Sequence, residues 1–295
     1  MSDVKLYKMS GAGNDFVVLD GRDTDVSGFR QPERIAELCR EYRTDGLMIL
    51  DNGGADFRME FYNPDGSGGM MCGNGGRCIV AFADWLGITP SAPDHYSFLA
   101  PDGLHSAEIL FRSPNGWTVK LKMIDVEGVS EVLGGYFLNT GTRHFVKFVE
   151  DVDAIDVAGE GKTLRWNEVF APEGANINFV QRLPDGSLKI RTFEKGVEGE
   201  TLACGTGITA AAIAVWYSCS DGEKAGPCPE KRGPVPAFPI AENNNATACP
   251  PLVADDGRVS IRLRARRGDI LTVDFIPDGP AKFHDIHLTG PAELL

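Results

Sequence analysis

Two short glycine-rich stretches, each led by a cysteine and running into an apolar segment, constrain this chain more than any other feature. The first is Cys72-Gly73-Asn74-Gly75-Gly76-Arg77-Cys78, followed by Ile79, Val80, Phe82, Ala83 and Leu86. The second is Cys204-Gly205-Thr206-Gly207, followed by the alanine-rich run 208–216. Other landmarks repeat around them. Asn14 lies 58 residues before Cys72, and His144 lies 60 before Cys204. Asn63 lies nine before Cys72, and Glu194 ten before Cys204. Landmarks recurring in one order at near-equal spacing suggest a duplicated plan, with two domains about a pseudo-twofold axis and a thiol from each facing the other.

A thiol at a helix N-terminus sits among unpaired backbone N–H groups at the positive end of the helix dipole, which favours the thiolate. Glycines there let N–H groups converge on an anion. Two such elements can therefore supply two bases and a carboxylate clamp. Two bases on opposite faces of one carbon can invert it, one removing a proton while the other returns one. A substrate α-carboxylate is expected against Gly73-Asn74 and Gly205-Thr206, where the dipoles favour the charge that develops. Cys72 and Cys204 are the candidate acid/base pair, and His144 and Glu194 are placed to set their protonation state.

The totals narrow the partners. At 295 residues, with 42% apolar residues, the chain has room for two domains and a buried core. Its formal net charge of −13 opposes nucleic acid and anionic membranes, leaving a small metabolite as the partner. Met1-Ser2-Asp3-Val4-Lys5 lacks a basic stretch leading into an apolar run, and no segment approaches the ~20 apolar residues of a membrane span. A soluble cytoplasmic protein is expected. The seven cysteines include no Cys-x-x-Cys pair, so free thiols and no metal are expected, and two opposed bases need no cofactor if the carbanion is stabilised.

Along the chain, strands are predicted at 4–9 and 16–19 around the turn 10–14, which bends without opening a helix. Pro32 starts a helix in which Ile35, Leu38, Cys39 and Tyr42 share a buried face. Strands follow at 47–50 and 56–62 across Asn52-Gly53-Gly54, with Phe57, Met59 and Phe61 on one face. The helix after Cys72 has little polar surface and should be enclosed, with Cys78 packed inside. Strands at 104–111 and 117–123 close a first domain, residues 1–125. The second half offers a strand at 136–140, a bend 141–144, a strand 145–149, an acidic helical segment near 152–157, strands at 176–181 and 188–193, then the Cys204 helix. Residues 126–275 form the second domain, with strands at 259–264 and 270–276. A surface insertion rich in Pro, Ala, Gly and Asn occupies 218–256. Residues 276–295 form a C-terminal segment returning to the first domain.

Lys8-Met9-Ser10-Gly11-Ala12-Gly13-Asn14-Asp15-Phe16, Asn63-Pro64-Asp65-Gly66-Ser67, the Cys72 stretch, Asn176-Ile177-Asn178-Phe179, Glu194-Lys195-Gly196 and Glu200-Thr201-Leu202-Ala203-Cys204-Gly205-Thr206-Gly207 together resemble diaminopimelate epimerase. The likeness runs to Leu288-Thr289-Gly290-Pro291-Ala292. It implies an α/β (α+β) fold of two similar domains, each a mixed sheet curled around a central helix. It implies an enzyme that interconverts LL- and meso-2,6-diaminopimelate without pyridoxal phosphate, for lysine and peptidoglycan synthesis. It also implies that Cys72 and Cys204 are the acid/base pair, that His144 and Glu194 tune them, and that Asn14, Asn63, Asn176, Glu194 and Lys195 contact substrate together with Gly73-Asn74 and Gly205-Thr206.

The chain departs from that pattern at three points. Thr142 stands where the family has asparagine, Gly46 where it has glutamine, and Lys195, which lacks the two-pronged fork, where it has arginine. These changes concern the far end of the substrate, and Thr142 and Arg143 are further candidates to contact it. Two rivals follow. One is a racemase or epimerase of this fold acting on another amino acid, such as histidine or hydroxyproline. The other is a non-catalytic, redox-sensing binding protein in which Cys72 and Cys204 form a reversible disulfide. An exposed edge strand would support a homodimer.

Overall fold

The computed structural model describes residues 4–69, 71–220 and 252–295. Most of the expected insertion, with Cys228 and Cys249, lies outside the described residues. The chain divides into two compact units, Met1–Lys122 with Thr289–Leu295, and Met123–Leu288.

In the first unit β1 (Tyr7–Gly11) turns through Ala12 and Gly13 into β2 (Asn14–Asp20). Both turn residues have positive φ, 53° and 92°, the left-handed pair that a two-residue hairpin uses. α1 (Pro32–Tyr42) carries the chain to β3 (Leu47–Asp51), parallel to β2. Ile35, Leu38 and Cys39 are buried against Val17, Leu19, Leu47 and Ile49. Tyr42 is instead 38% exposed, because the helix stops there, with Arg43 turning left-handed at φ 52°. β4 (Phe57–Tyr62) returns antiparallel to β3 with Phe57, Met59 and Phe61 inward.

α2 (Gly73–Trp85) follows, then β5 (His95–Ala100), parallel to β4, and the antiparallel β6 (Gly103–Arg112) and β7 (Gly116–Lys122). The end of the chain's last strand, Phe283–Leu294, pairs with both β7 and β1. Eight strands thereby close on themselves, a barrel without free edges. α2 runs inside it against β1, β2, β3, β6 and β7. Every residue from Gly73 to Ala83 is buried, Asn74 and Arg77 among them.

The second unit repeats the order of elements. β8 (Val129–Val132), β9 (Gly135–Asn139) and β10 (Arg143–Phe148) are antiparallel neighbours. α3 (Val157–Arg165) leads to β11 (Asn176–Arg182), parallel to β10, and β12 (Leu188–Glu194) pairs antiparallel with β11. β13 (Gly199–Thr201) flanks β12, and α4 (Gly205–Ser220) follows. β14 (Leu252–Val253), β15 (Val259–Arg264) and β16 (Ile270–Pro277) complete the sheet, with β15 parallel to β12 at Leu188 and Lys189. Hairpin, crossover helix, hairpin and cysteine-led helix thus recur in each unit. Ile208 and Ala210–Val215 of α4 are buried against strands β9 to β12, β15 and β16.

Two local expectations shift. The helix expected near 152–157 begins where that segment ends, because the Asp156 carboxylate caps it by accepting from Gly159 N at 3.1 Å. Its glycines hide it in the sequence, yet a Cβ on Gly161 would lie 2.4 Å from Phe193 Cβ, so a glycine there admits the strand beneath. Arg143 and His144, expected in a bend, belong to β10, where they pair with Asn139 and Leu138. Among the described residues no helix is long and apolar enough to cross a membrane.

Candidate active site

The cysteines and their neighbours form one cluster in each unit. In the first, Cys72 is the extended N-cap residue of α2 (φ −107°, ψ 149°), and its sulfur accepts from Gly75 N at 3.2 Å. A Cβ on Gly75 would lie 3.2 Å from that sulfur, so the glycine lets backbone approach the thiol. Cys78, one and a half turns further along, is fully buried and its thiol is pushed up by desolvation. It is a packing residue. Asn14, the first residue of β2, accepts at Oδ1 from Asn74 Nδ2 at 2.6 Å. Asn63 follows β4 in a turn that returns Ser67, whose hydroxyl accepts from Asn63 Nδ2 at 3.0 Å.

In the second unit Cys204 precedes α4, 7% exposed, with its sulfur 3.5 Å from Thr206 Oγ1. That hydroxyl lies 2.9 Å from His144 Nε2. His144 is fully buried on β10, and desolvation pushes its pKa down to about 3, so the ring is neutral at physiological pH. Its tautomer follows from Asn178. Asn178 Nδ2 faces the carbonyl of Phe145 at 3.1 Å, while its Oδ1 accepts from Thr192 at 3.0 Å. The same Nδ2 therefore donates to His144 Nδ1, 3.1 Å away. Nδ1 is the acceptor, so the ring hydrogen sits on Nε2, shared between Thr206 and the hydroxyl of Thr142, also at 2.9 Å. A line of donors runs from His144 through the Thr206 hydroxyl toward the Cys204 sulfur.

Asn176 is nearly saturated. Its amide hydrogens go to Thr142 Oγ1 and the Arg143 carbonyl, at 3.0 and 3.1 Å, and its Oδ1 accepts from Lys195 N at 2.7 Å. Glu194 ends β12, half-buried, and Lys195 beyond it is exposed. Arg143 Nη1 meets Glu173 at 2.9 Å, and its guanidinium lies 5.1 Å from the Phe137 ring centroid. Asn178 was present in the sequence motif without a role. Its signal is that a buried amide two residues along a strand from Asn176 must share that residue's face.

The model of the diaminopimelate epimerase family matches residues 6–109 and 136–226. A relative named diaminopimelate epimerase from Aquifex aeolicus is 41% identical over 97% of this chain and 94% of its own length. One of the same name from Flavobacterium psychrophilum is 43% identical over 72% of this chain and 81% of its own. The chain belongs to the diaminopimelate epimerase family. Its fold is shared by much more distant proteins. A PhzF-family phenazine biosynthesis protein from Bacillus anthracis superposes with TM-score 0.69 at 12% identity, over 100% of this chain and 98% of that one. A probable proline racemase from Agrobacterium radiobacter gives 0.61 at 15%, over 99% and 91%.

Gly46 and Thr142, two of the positions expected to depart from the family pattern, are locally constrained. A Cβ on Gly46 would lie 2.7 Å from the Tyr62 carbonyl and 3.2 Å from the Phe61 ring, so no side chain fits there. Thr142, in the asparagine's place, is tied into the His144 and Asn176 hydrogen bonds. Among the described residues no cluster of three or more His, Cys, Asp or Glu could hold a metal.

Proposed function

We propose that the chain interconverts LL- and meso-2,6-diaminopimelate by a two-base mechanism in which Cys72 and Cys204 are the acid/base pair. One sulfur enters each turnover as thiolate and removes the α-proton, and the other, as thiol, delivers a proton to the opposite face. The two exchange roles with direction. No external cofactor is needed if the carbanion and its carboxylate are held against the backbone N–H groups of Gly73-Asn74 and Gly205-Thr206 at two helix N-termini. The observation that carries this reading is that each unit encloses a helix headed by a cysteine and glycine. The name borne by a relative that matches nearly the whole chain, and by another that matches most of it, favours diaminopimelate over other amino acids.

In this scheme His144 acts on Cys204 as a neutral donor through Thr206. Asn14, Asn63, Glu194 and Lys195 contact the substrate, and Asn176, its amide nearly saturated, holds the Lys195 backbone and Thr142 in place beside it. The reaction is assigned to the cytoplasm and to supply of lysine and peptidoglycan precursors.

The test is solvent deuterium uptake at the substrate Cα with reduced enzyme, run on diaminopimelate, histidine, proline and glutamate isomers. Uptake confined to diaminopimelate is expected, and Cys72→Ala and Cys204→Ala should each abolish epimerisation. Exchange on none of the four would leave the redox-sensing rival, and epimerisation persisting in either alanine variant would refute the two-base scheme.

A further inference from the structure

Arg77 is a charged residue in the first half of an enclosed helix whose other polar side chains are Asn74 and Asp84. Its side chain is completely buried inside the first unit, a costly place for a cation unless its donors are used. They are used, two on the N-terminal turn of its own helix and one on the chain's last strand. Nη1 donates to the Gly73 carbonyl at 3.0 Å, Nη2 to Asn74 Oδ1 at 2.9 Å, and Nε to the Pro291 carbonyl at 3.3 Å.

The bond to Asn74 has a consequence two residues away in space. A guanidinium only donates, so the atom of Asn74 that faces it must be the amide oxygen. The Asn74 amide nitrogen is thereby turned the other way, where it donates to Asn14 at 2.6 Å. The atom of Asn14 that receives it must again be oxygen. The Asn14 amide nitrogen, with two hydrogens, is left pointing away, and among the described residues none accepts from it. Two amides that could each flip are set in one direction by a single buried cation.

We infer that Arg77 is a positioning residue which, through Asn74, fixes the Asn14 amide so that it offers hydrogen-bond donors to an anionic or carbonyl group of the substrate. This rests on the reading of Asn14 as a substrate contact. Without Arg77, either amide could turn over, and Asn14 would present its oxygen to the substrate's negative charge in part of the population.

The experiment is a double-mutant cycle read in KM and kcat on diaminopimelate. Asn14→Ala is expected to raise KM about tenfold. Arg77→Lys keeps the charge but cannot reach both Gly73 and Asn74, and should raise KM by a similar factor with kcat changed by less than about threefold. In the doubly substituted protein the two effects should not multiply, because without the Asn14 amide there is nothing left for the Arg77–Asn74 bond to orient. Asn74→Asp provides a second route should Arg77→Lys fold poorly. It gives the buried guanidinium a carboxylate and holds or raises the melting temperature, yet offers Asn14 only oxygens, so KM should rise. A purely structural role for Arg77 would move stability and activity together. Unchanged KM in Asn14→Ala would remove the substrate role of Asn14 and the inference with it. A large Asn14→Ala effect that multiplies with that of Arg77→Lys would overturn the inference alone. So would an unchanged KM in Asn74→Asp.

Discussion

His144 Nε2 lies 2.9 Å from the hydroxyl oxygen of Thr206, and the same oxygen is 3.5 Å from the Cys204 sulfur. Because Asn178 occupies Nδ1 as a donor, Nε2 holds the hydrogen, and the Thr206 hydroxyl, accepting it, is free to donate onward. A thiolate at Cys204 thus gains a charge-assisted hydrogen bond that a thiol does not need. Thr206→Val preserves the shape of the side chain and deletes the hydroxyl. It is expected to lower kcat about 10- to 100-fold, the scale of one hydrogen bond to a charged group, while Thr206→Ser restores most of it. Steady-state rates in both directions decide it, and a valine variant as fast as the parent would break the chain of donors.

The buried imidazole also links stability to pH. His144 takes a proton at about 3 in the folded protein, against 6.5 as its ordinary value. Between those values unfolding takes up a proton, so its contribution is complete above pH 6.5 and is lost as pH falls toward 3. The slope for one proton is about 1.4 kcal/mol per pH unit. The stability difference between parent and His144→Gln, measured by urea unfolding from pH 7 to 4, should shrink with that slope on acidification. A difference independent of pH would mean that the histidine is accessible to protons.

Gly207 offers a test in which the usual sign is reversed. Replacing a helical glycine by alanine ordinarily stabilises by about 1 kcal/mol. Here the added Cβ would fall 2.4 Å from Asn178 Oδ1 and 3.4 Å from Cys204 Cβ. Gly207→Ala should therefore destabilise by about 1–3 kcal/mol and lower kcat by displacing Asn178 from His144. Thermal unfolding with parallel rate measurements reads both, and a variant that melts higher would show that Asn178 can move without cost.

The parts legible in the sequence were those that a local pattern carries. Alternation placed Phe57, Met59 and Phe61 inward, the scarcity of polar surface after Cys72 marked an enclosed helix, and matched spacing exposed the duplicated order of elements. The C-terminal segment was expected to return to the first domain, but the register in which residues 290–294 close the barrel against strands far earlier in the chain was not legible. No local signal encodes such a register. The roles of Asn178 and Arg77 were hidden for a related reason. Each acts through a partner that tertiary structure supplies, His144 across two parallel strands for one and Asn14 at a hairpin for the other. Asn63 and Lys195 show the converse, since turn chemistry marked their loops while leaving the direction of their side chains open.

The far end of the substrate separates two cations that the sequence could not rank. The charge of Arg143 is already engaged, by Glu173 at 2.9 Å and by the face of Phe137. Lys195 is exposed, while its backbone is fastened by Asn176 Oδ1 at 2.7 Å, which gives an exposed ammonium a fixed base. Lys195→Ala is therefore expected to raise KM for diaminopimelate about tenfold with kcat little changed, as for loss of a contact made equally in ground and transition states. Lys195→Arg should keep or lower KM, because a fork pairs with a carboxylate in two places. Arg143→Ala, which breaks a surface ion pair and a cation–π contact, should cost at most about 1 kcal/mol of stability and leave KM within about twofold. The reverse pattern, a large KM increase in Arg143→Ala and none in Lys195→Ala, would mean that substrate draws Arg143 away from Glu173 and would move the distal contact to β10.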